Sequence, residues 1–328
     1  MNRRTILRAG AGLIAAPALL RRPAAAQAWP ARGPIRLVAQ FPPGGLVDTV
    51  ARLMAPAMAQ ELGQSVVVEN RPGAAGIIGT DYVAKQPADG YTLLMSHAIV
   101  HVFAAATRRT MPFDPIADFT HMALLVEAPM VLLVRGDSPF RSLAQYLEAA
   151  KRQPVRFGSS GIASAPHLLG ELLKRESGAT QLDHVPYQGT APAMQDLLAR
   201  VIESLIDPIT TNVGQMRDGS LRALAVSSPR RLPAFPDVPT FAELGFPSLT
   251  AAQWLGLSGP KGLPEPIVDR LVGLVPSLLA RPDLRARLED VQTLPRDPIP
   301  TKDAFVAIIR EQLEHWRAVA RAANIEVT

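Results

Sequence analysis

The sequence predicts an α/β protein with two lobes, and three observations lead to this prediction. The chain has 328 residues, a length that suggests about two domains. Hydrophobic residues make up 48% of it, which is ample for packed cores. Short apolar runs alternate with segments of helical periodicity, an alternation that is typical of βαβ units and favours a mostly parallel sheet. In such sheets, ligands bind beyond the carboxyl ends of the strands.

The first 28 residues have the composition of an export signal. Arg3, Arg4 and Arg8 give a positive start, an apolar stretch follows at 9–20, and alanines precede an expected cleavage after Ala28. The paired arginines resemble a twin-arginine signal. We therefore expect the mature protein in the periplasm.

The formal charge of +5 belongs to this leading segment. The segment contains five of the 34 basic residues and no acid, so the rest of the chain has 29 basic and 29 acidic residues. A balanced mature chain gives no electrostatic reason to expect a nucleic-acid partner.

The composition also argues against a metal or a nucleotide cofactor. The absence of cysteine excludes disulfides, thiolate zinc sites and a cysteine nucleophile. The six histidines lack the spacing of metal ligands, and the chain has neither a dinucleotide fingerprint nor a P-loop. We expect no metal and no cofactor.

The clearest candidate site is the turn around Gly44 and Gly45. An apolar run at 35–40 predicts a strand, and apolar residues spaced by three and four from Val47 onward predict a helix. Such a helix leaves its first backbone N–H groups without partners, and the glycines let an anion approach them. We hypothesise that a carboxylate of a small organic acid binds there, and that Asp48 accepts backbone N–H groups to fix the turn. The alternative is an ordinary strand–helix turn that binds nothing.

The first lobe continues the alternation and is interrupted by the second. Its second predicted strand after the glycine turn ends at Ser96, next to His97. Apolar runs at 130–134 and 254–257 mark the crossings, so we predict one lobe at 29–130 plus 251–328 and the other at 131–250. The predicted elements of the first lobe are strands 65–69, 91–95 and 254–257 and helices 73–85, 265–279, 283–290 and 301–322.

The second lobe repeats the order of strand, small residues and helix start. Ser159 and Ser160 follow a strand, and Ser164 precedes a helix with an early proline, a sound start signal. Thr190 is predicted to cap the next helix, and Asp207 ends a further strand. The predicted elements are strands 155–158, 182–185, 201–206 and 221–226 and helices 142–152, 165–177 and 191–200.

Hydroxyl donors stand at strand ends or helix starts in both lobes. Donors without a nearby acid–base pair suit holding a carboxylate and do not suit breaking a bond. For any one serine the simpler interpretation is that it caps its own helix, and for His167 a structural role is favoured. The donors are Ser96, Ser159, Ser160, Ser164, Tyr187 and Thr190.

A serine hydrolase is the competing hypothesis. The segment 158–161 is not a GxSxG elbow, because its second glycine arrives one residue early. A triad of Ser160, His167 and Asp207 stays open, since triads are recognised by geometry. We favour ligand binding and expect no catalytic residue.

Eight segments, taken in order, carry a family resemblance. They are FPPGGLVDTVAR (41–52), VVVENRPGAAGIIG (66–79), ADGYTLL (88–94), MPFDPIADFTHMALL (111–125), FGSSGIASAPHLLGELL (157–173), HVPYQGTAPAMQDLL (184–198), GSLRALAVSSPRRLPAFPDVPTFAELGFP (219–247) and WLGLSGPKGLPEPIVDRL (254–271). Together they resemble the extracytoplasmic solute receptors of the tripartite tricarboxylate transporters, also called the Bug family. The resemblance covers nearly all of the chain after the export segment.

This resemblance implies a type II periplasmic binding-protein fold, with a hinge and a ligand cleft between two α/β lobes. It implies a non-enzymatic, monomeric receptor that clamps a small carboxylic acid and delivers it to the membrane subunits of a tripartite transporter. A sensor that binds the same acids and signals to a membrane kinase is a further alternative.

The resemblance also implies ligand-binding residues. Those of the first lobe are Phe41, Gly44, Gly45, Val47, Asp48, Ser96 and His97. Those of the second are Ser159, Ser160, Ser164, His167, Tyr187, Gly189, Thr190 and Asp207. Two departures reshape the expected pocket: Ala163 stands where glycine is usual, and Ala104 stands where asparagine commonly follows the histidine matched by His101. The identity of the acid is therefore not implied.

Overall fold

The computed structural model describes residues 29–296 and 298–326, and this part of the chain forms ten strands and ten α-helices. The export segment predicted at 1–28 lies outside the described residues and stays a prediction. The strands are β1 (Ile35–Ala39), β2 (Val66–Asn70), β3 (Thr92–His97), β4 (Phe119–Arg135), β5 (Val155–Ser159), β6 (Leu182–Pro186), β7 (Ser204–Pro208), β8 (Leu221–Val226), β9 (Ala252–Pro260) and β10 (Leu294–Pro295). The helices are α1 (Leu46–Leu62), α2 (Ile77–Ala84), α3 (Ala105–Thr107), α4 (Leu143–Ala150), α5 (Ala165–Ser177), α6 (Thr190–Leu198), α7 (Val213–Arg217), α8 (Glu265–Leu279), α9 (Pro282–Asp290) and α10 (Lys302–Ala322).

The strands form two half-sheets that share β4. In the first half-sheet the order is β2-β1-β3-β9-β4, with β10 paired to β4. In the second, β4 lies between β8 and β7, and β7 is followed by β5 and β6. Helices alternate with strands in both halves, so the predicted α/β class and its two lobes are confirmed.

The prediction of a mostly parallel sheet is wrong. The pairs β1–β2, β1–β3, β5–β6 and β5–β7 are parallel, whereas every pair that includes β4 or β9 is antiparallel. The reason is the path of the chain, because β4 and β9 run in opposite directions at the junction of the two halves. Each half therefore keeps parallel βαβ units at its outer strands and antiparallel pairs at the junction.

The junction is held by β4, β9 and one buried serine. β4 pairs with β9 as far as Pro129 and with β7 from Met130 onward. The hydroxyl of Ser227 accepts a hydrogen bond from the Met130 amide at 2.8 Å and donates to the carbonyl of Ala251. This change of partners lies beside the crossings predicted near 131 and 250. The lobe limits themselves stay a prediction.

Most predicted elements are present, and the misplaced ones have local causes. The helix predicted from residue 73 begins only at Ile77, because Ala74 and Ala75 adopt left-handed φ angles of 47° and 55°. The strand predicted from residue 201 begins only at Ser204, because Arg200 has a φ of 67° and turns the chain. The apolar run at 130–134, which indicated a crossing between the lobes, is the last part of β4. This strand begins 11 residues earlier, at Phe119.

The closing helix α10 packs through an apolar stripe. Its apolar stripe is buried at Phe305, Ile309, Leu313, Trp316 and Val319. The helix contacts β4 and also α5, so it packs against elements of both half-sheets. Within the described ranges, no helix combines the length and apolarity that a membrane crossing requires.

Two helical glycines give a matched test of this packing. A Cβ at Gly170 of α5 would lie 2.2 Å from the buried Phe157 ring, whereas a Cβ at Gly273 of α8 meets nothing within 4 Å. Overpacking of this kind costs about 1–3 kcal/mol, so Gly170→Ala should lower the denaturant midpoint. Gly273→Ala should leave it unchanged or raise it, because alanine stabilises an exposed helix interior by up to about 1 kcal/mol. Equal midpoints for the two variants would contradict the packing of α5 on β5.

Candidate functional site

The glycine turn is fixed by Asp48, as predicted. The Asp48 carboxylate accepts hydrogen bonds from the Gly44 amide at 2.9 Å, Asn70 Nδ2 at 2.8 Å and Arg52 Nε at 2.9 Å. Burial by itself acts to raise the pKa of Asp48, but the hydrogen bonds from Arg52, Gly44 and Asn70 outweigh it and hold the pKa below the ordinary value. The carboxylate is therefore ionised, and the Arg52 guanidinium and the other two donors compensate its negative charge. It shapes the turn with little repulsion for an incoming anion.

The start of α1 offers unpaired backbone donors. Gly45 precedes the helix without a capping side chain. Within the described part of the chain, the amides of Leu46, Val47 and Asp48 have no hydrogen-bond acceptor. Gly44 has a φ of 82°, a conformation that favours glycine. Three N–H groups at the positive end of a 17-residue helix form a potential anion site.

Ser96 and His97 are buried at the carboxyl end of β3, beside this turn. The Ser96 hydroxyl accepts a hydrogen bond from Ser258 Oγ at 2.8 Å and is thereby used within the fold. Burial lowers the pKa of His97 to about 3, so the ring is neutral at physiological pH. Both ring nitrogens of His97 and both polar side-chain atoms of Gln40 are buried without a partner among the described residues. The Phe41 ring packs edge-on against the His97 ring, with 5.7 Å between the two ring centroids.

Ser159 and Ser164 shape the loop that precedes α5. The Ser159 hydroxyl lies 2.7 Å from His184 Nε2 and 3.0 Å from the Gly161 carbonyl. Ser164 caps α5, as predicted, and donates to the Gly161 carbonyl at 2.7 Å. Both hydroxyls are therefore engaged within the protein. Ser160 differs, because its hydroxyl has no hydrogen-bond partner among the residues described.

His167 has the contacts of a structural histidine. Its Nδ1 accepts a hydrogen bond from the Ala163 amide at 3.0 Å, and its ring stacks on His184 at 3.7 Å between centroids. Burial lowers the pKa of His167 to about 4. Burial also lowers the pKa of His184 to about 3, and the His167 ring adds to that effect. The neutral pair supports Ala163, whose φ of 60° is unusual for a residue with a side chain.

The start of α6 differs from the prediction. Thr190 does not cap the helix, because it is the first residue of α6. The N-cap position is held by Gly189, which has no side chain to accept a hydrogen bond from the helix. The Thr190 hydroxyl donates instead to the Asp207 carboxylate at 2.8 Å, where a buried acceptor competes better than the helix end. Tyr187 is engaged as well, because its hydroxyl donates to Asp196 at 2.7 Å.

Asp207 is a fully buried carboxylate that is surrounded by donors. Besides Thr190, it accepts hydrogen bonds from Thr211 Oγ1 at 2.6 Å and Asn212 Nδ2 at 2.9 Å. Burial raises its pKa to about 6, and the three hydrogen bonds limit the rise. The side chain holds the start of α6 to the end of β7.

A cavity of about 310 Å³ lies between the two halves. Phe41 and residues of the helical segment Ile99–Thr107 line it on one side, and the loop and helix start 160–166 line the other. Of the predicted site residues, Phe41, Ser160 and Ser164 contact it directly. Grooves of about 400 Å³ also occur elsewhere, including one between α5 and α10. This cavity of about 310 Å³ is the better candidate, because Phe41 from the segment before the glycine turn lines it and because it gathers residues from both halves; Gly44, Gly45, Val47 and Asp48 do not line it.

Two polar residues of this cavity were missed by sequence reasoning. Arg108 and Gln253 both line it. The sequence contained a signal for Gln253, because Gln253 and Ser258 are the two polar residues within the largely apolar run that forms β9. Arg108 carried none, since an arginine after a helical segment is ordinary.

The proposed hydrolase triad is not assembled. The Nδ1 of His167 accepts from Ala163, so the neutral ring carries its proton on Nε2 and has no free acceptor for a serine hydroxyl. The carboxylate of Asp207 is occupied by two threonines and an asparagine. In the described ranges no hydrogen bond joins Ser160, His167 and Asp207, and no cluster of three metal-ligating side chains is found.

Comparison with known proteins identifies relatives over most of the chain. The sequence profile described as "Tripartite tricarboxylate transporter family receptor" matches residues 50–325. The structure is similar to the periplasmic binding protein BugD, with 34% identity, coverage of 90% of this chain and 99% of that one, and a TM-score of 0.75. It is similar to MatC from Rhodopseudomonas palustris with bound malate, with 33% identity, coverage of 87% and 98%, and a TM-score of 0.74. It is also similar to an R. palustris protein with adipate, with 32% identity, coverage of 91% and 99%, and a TM-score of 0.79. The expected type II periplasmic binding-protein fold is confirmed.

The raised pKa of Asp207 predicts a pH-dependent stability. The folded protein keeps this proton up to about pH 6, whereas the unfolded chain releases it near the ordinary value of 3.8. The resulting stabilisation is present below the unfolded pKa and is lost as the pH rises through the folded pKa. Relative to Asp207→Asn, the wild-type free energy of unfolding should therefore fall by about 2–3 kcal/mol between pH 4 and pH 7. Urea denaturation measures this free energy for both proteins at each pH. A difference between wild type and Asp207→Asn that stays constant from pH 4 to pH 7 would contradict the burial of Asp207.

Proposed function

This chain belongs to the tripartite tricarboxylate transporter receptor family, and we propose that it is a periplasmic receptor that holds a small organic acid between its two halves without altering it. The observation that carries the proposal is the start of α1. Three backbone amides at the amino-terminal end of this long helix have no acceptor among the described residues. They follow the turn after Phe41, and Phe41 lines the cavity between the halves.

The first carboxylate of the ligand is proposed to bind at this turn. Gly44 and Gly45 leave the approach open, and the N–H groups of Leu46, Val47 and Asp48 supply the donors. Hydrogen bonds to an anion are about twice as strong as those between neutral groups. The buried and unpartnered polar atoms of His97, with the adjacent Ser96, are proposed to complete this side through ordered water.

The second half is proposed to contribute fewer direct contacts than its hydroxyl content suggests. Ser160 is the free hydroxyl on the cavity, and the uncapped helix start at Gly189 and Thr190 presents backbone amides. The remaining residues are proposed to support the site without contacting the ligand through their polar atoms, because those atoms already hold the loops that face it. These residues are Ser159, Ser164, His167, Tyr187 and Asp207.

Ligand binding is proposed to close the two halves. A ligand that contacts both halves has a higher affinity for the closed arrangement and shifts the population toward it. The hinge is proposed to lie where β4 changes partners at Pro129 and Met130, next to Ser227.

The partners and the export route are proposals that follow from family membership. MatC was solved with malate and another relative with adipate, so both are reasonable first ligands to test. The receptor is proposed to be an exported monomer that delivers its acid to the membrane subunits of a tripartite transporter. A sensor that passes the same signal to a membrane kinase is the alternative for this step. Neighbouring genes would distinguish the two.

Gly45→Val tests the carboxylate site. The backbone of Gly45 is extended, with a φ of −79°, and an added Cβ would meet only the Pro42 carbonyl at 3.5 Å. The fold should therefore persist, while the valine side chain covers the amides of α1. We expect affinity for the best acid in a thermal-shift and calorimetric screen to fall at least about tenfold, a loss of about 1.4 kcal/mol or more.

Gly33→Val is the matched control, since a Cβ there meets nothing within 4 Å and Gly33 is remote in sequence from the turn. It should bind like the wild type. Undiminished affinity in Gly45→Val would exclude the start of α1 as the anion site. Failure of the wild-type protein to bind any carboxylic acid would overturn the proposed receptor function.

A further inference from the structure

The cavity between the halves has a largely apolar wall. Its side chains include Phe41, Ile99, Phe103, Ala104, Ile162 and Ala163. These side chains offer no hydrogen-bonding group to a ligand, whereas Thr107, Ser160 and Ser164 carry hydroxyls elsewhere on the lining. A ligand hydroxyl placed against the apolar wall would lose its hydration without replacement, at a cost of about 1–3 kcal/mol. The wall therefore favours a ligand whose middle part is hydrocarbon.

Arg108 provides the positive charge among the residues that line this cavity. It directly follows α3 and is half-buried, and its guanidinium makes no ion pair or hydrogen bond within the described residues. The next residue behaves differently, since Arg109 is 66% exposed and its Nε lies 2.9 Å from a Glu326 carboxylate oxygen. A guanidinium is always charged and matches a carboxylate with two parallel hydrogen bonds. Arg108 thus has an unused capacity for an anion.

Gln253 provides a second unsatisfied polar group on the same cavity. It lies on β9 opposite Ala128 and is only 3% exposed. Its side-chain amide makes no hydrogen bond within the part of the chain that is described. Because Gln253 also lines the cavity, its amide is available to a water molecule or to a ligand there.

We propose that Arg108 and Gln253 form a distal polar end of the ligand site, which selects acids that carry a second carboxylate beyond a hydrocarbon spacer. This inference rests on the proposed receptor function, in which the first carboxylate binds at the start of α1. The second carboxylate pairs with the guanidinium of Arg108, and the amide of Gln253 donates to it. Arg108 is then a specificity-determining residue. The preferred ligands are linear dicarboxylates, and monocarboxylic acids are disfavoured.

Adipate and hexanoate are the probes that test this proposal. Both have six carbons, and only adipate has the second carboxylate. Wild-type protein should bind adipate at least about tenfold more tightly than hexanoate in calorimetry, a difference of about 1.4 kcal/mol. Arg108→Gln should weaken adipate binding at least about tenfold and change hexanoate binding by less than about threefold. Gln253→Leu should show the same selectivity with a smaller loss.

Arg109→Gln is the control, because it removes the neighbouring charge and leaves the cavity intact. It should bind both acids like the wild type. Equal affinity of the wild type for the two acids would overturn the inference and leave the receptor function standing. So would an equal loss of both acids in Arg108→Gln, or a loss of adipate binding in Arg109→Gln of the same size. A wild-type protein that binds neither these acids nor any other carboxylate would instead overturn the receptor function itself.

Discussion

The structure depends on one strand that belongs to both halves of the molecule. β4 is hydrogen-bonded to β9 up to Pro129 and to β7 and β8 beyond it, so its backbone is the direct physical link between the half-sheets. Ser227 reinforces the link by binding the amide of Met130 and the carbonyl of Ala251 with a single hydroxyl. The proposed motion between the halves therefore has its hinge at the few residues where the partners change. The cavity lies where the halves face each other.

The chemistry of the cleft comes from groups that the fold leaves unused. Most hydroxyls near the strand ends are committed to other protein atoms, as shown by Ser96 with Ser258 and by Thr190 with Asp207. Among the residues that the structure describes, the donors that remain free are backbone amides at helix starts, together with Ser160 and Arg108. This division separates two tasks. Side-chain hydrogen bonds hold the loops in place, and under the proposed function the backbone amides of these loops bind an anion with little further ordering cost.

Much of the fold could be predicted from the sequence, because its information is local. β8 and α8 have the predicted limits, since turn-forming residues bound both segments. The mostly parallel sheet could not be excluded in advance, because strand direction depends on how the chain passes the junction. The onset of α2 depended on left-handed alanines, which local propensity does not anticipate.

The candidate site was predictable in place but not in detail. The glycine turn and the role of Asp48 followed from neighbouring residues. Whether a hydroxyl is free depends on partners far along the chain, and Ser96 and Ser258 are 162 positions apart. The same holds for Arg108, whose lack of an ion pair is visible only in three dimensions.

The position of the junction has a consequence for how this architecture can diversify. Pro129 and Ala252 are partners across β4 and β9, so the chain leaves the first half-sheet and re-enters it at adjacent points. The segment between them is topologically an insertion, because both of its ends lie at the same pair of residues on two neighbouring strands. A single recombination event with paired breakpoints there can graft a different distal half onto the same first half. The distal half can thus be exchanged during evolution as one contiguous segment.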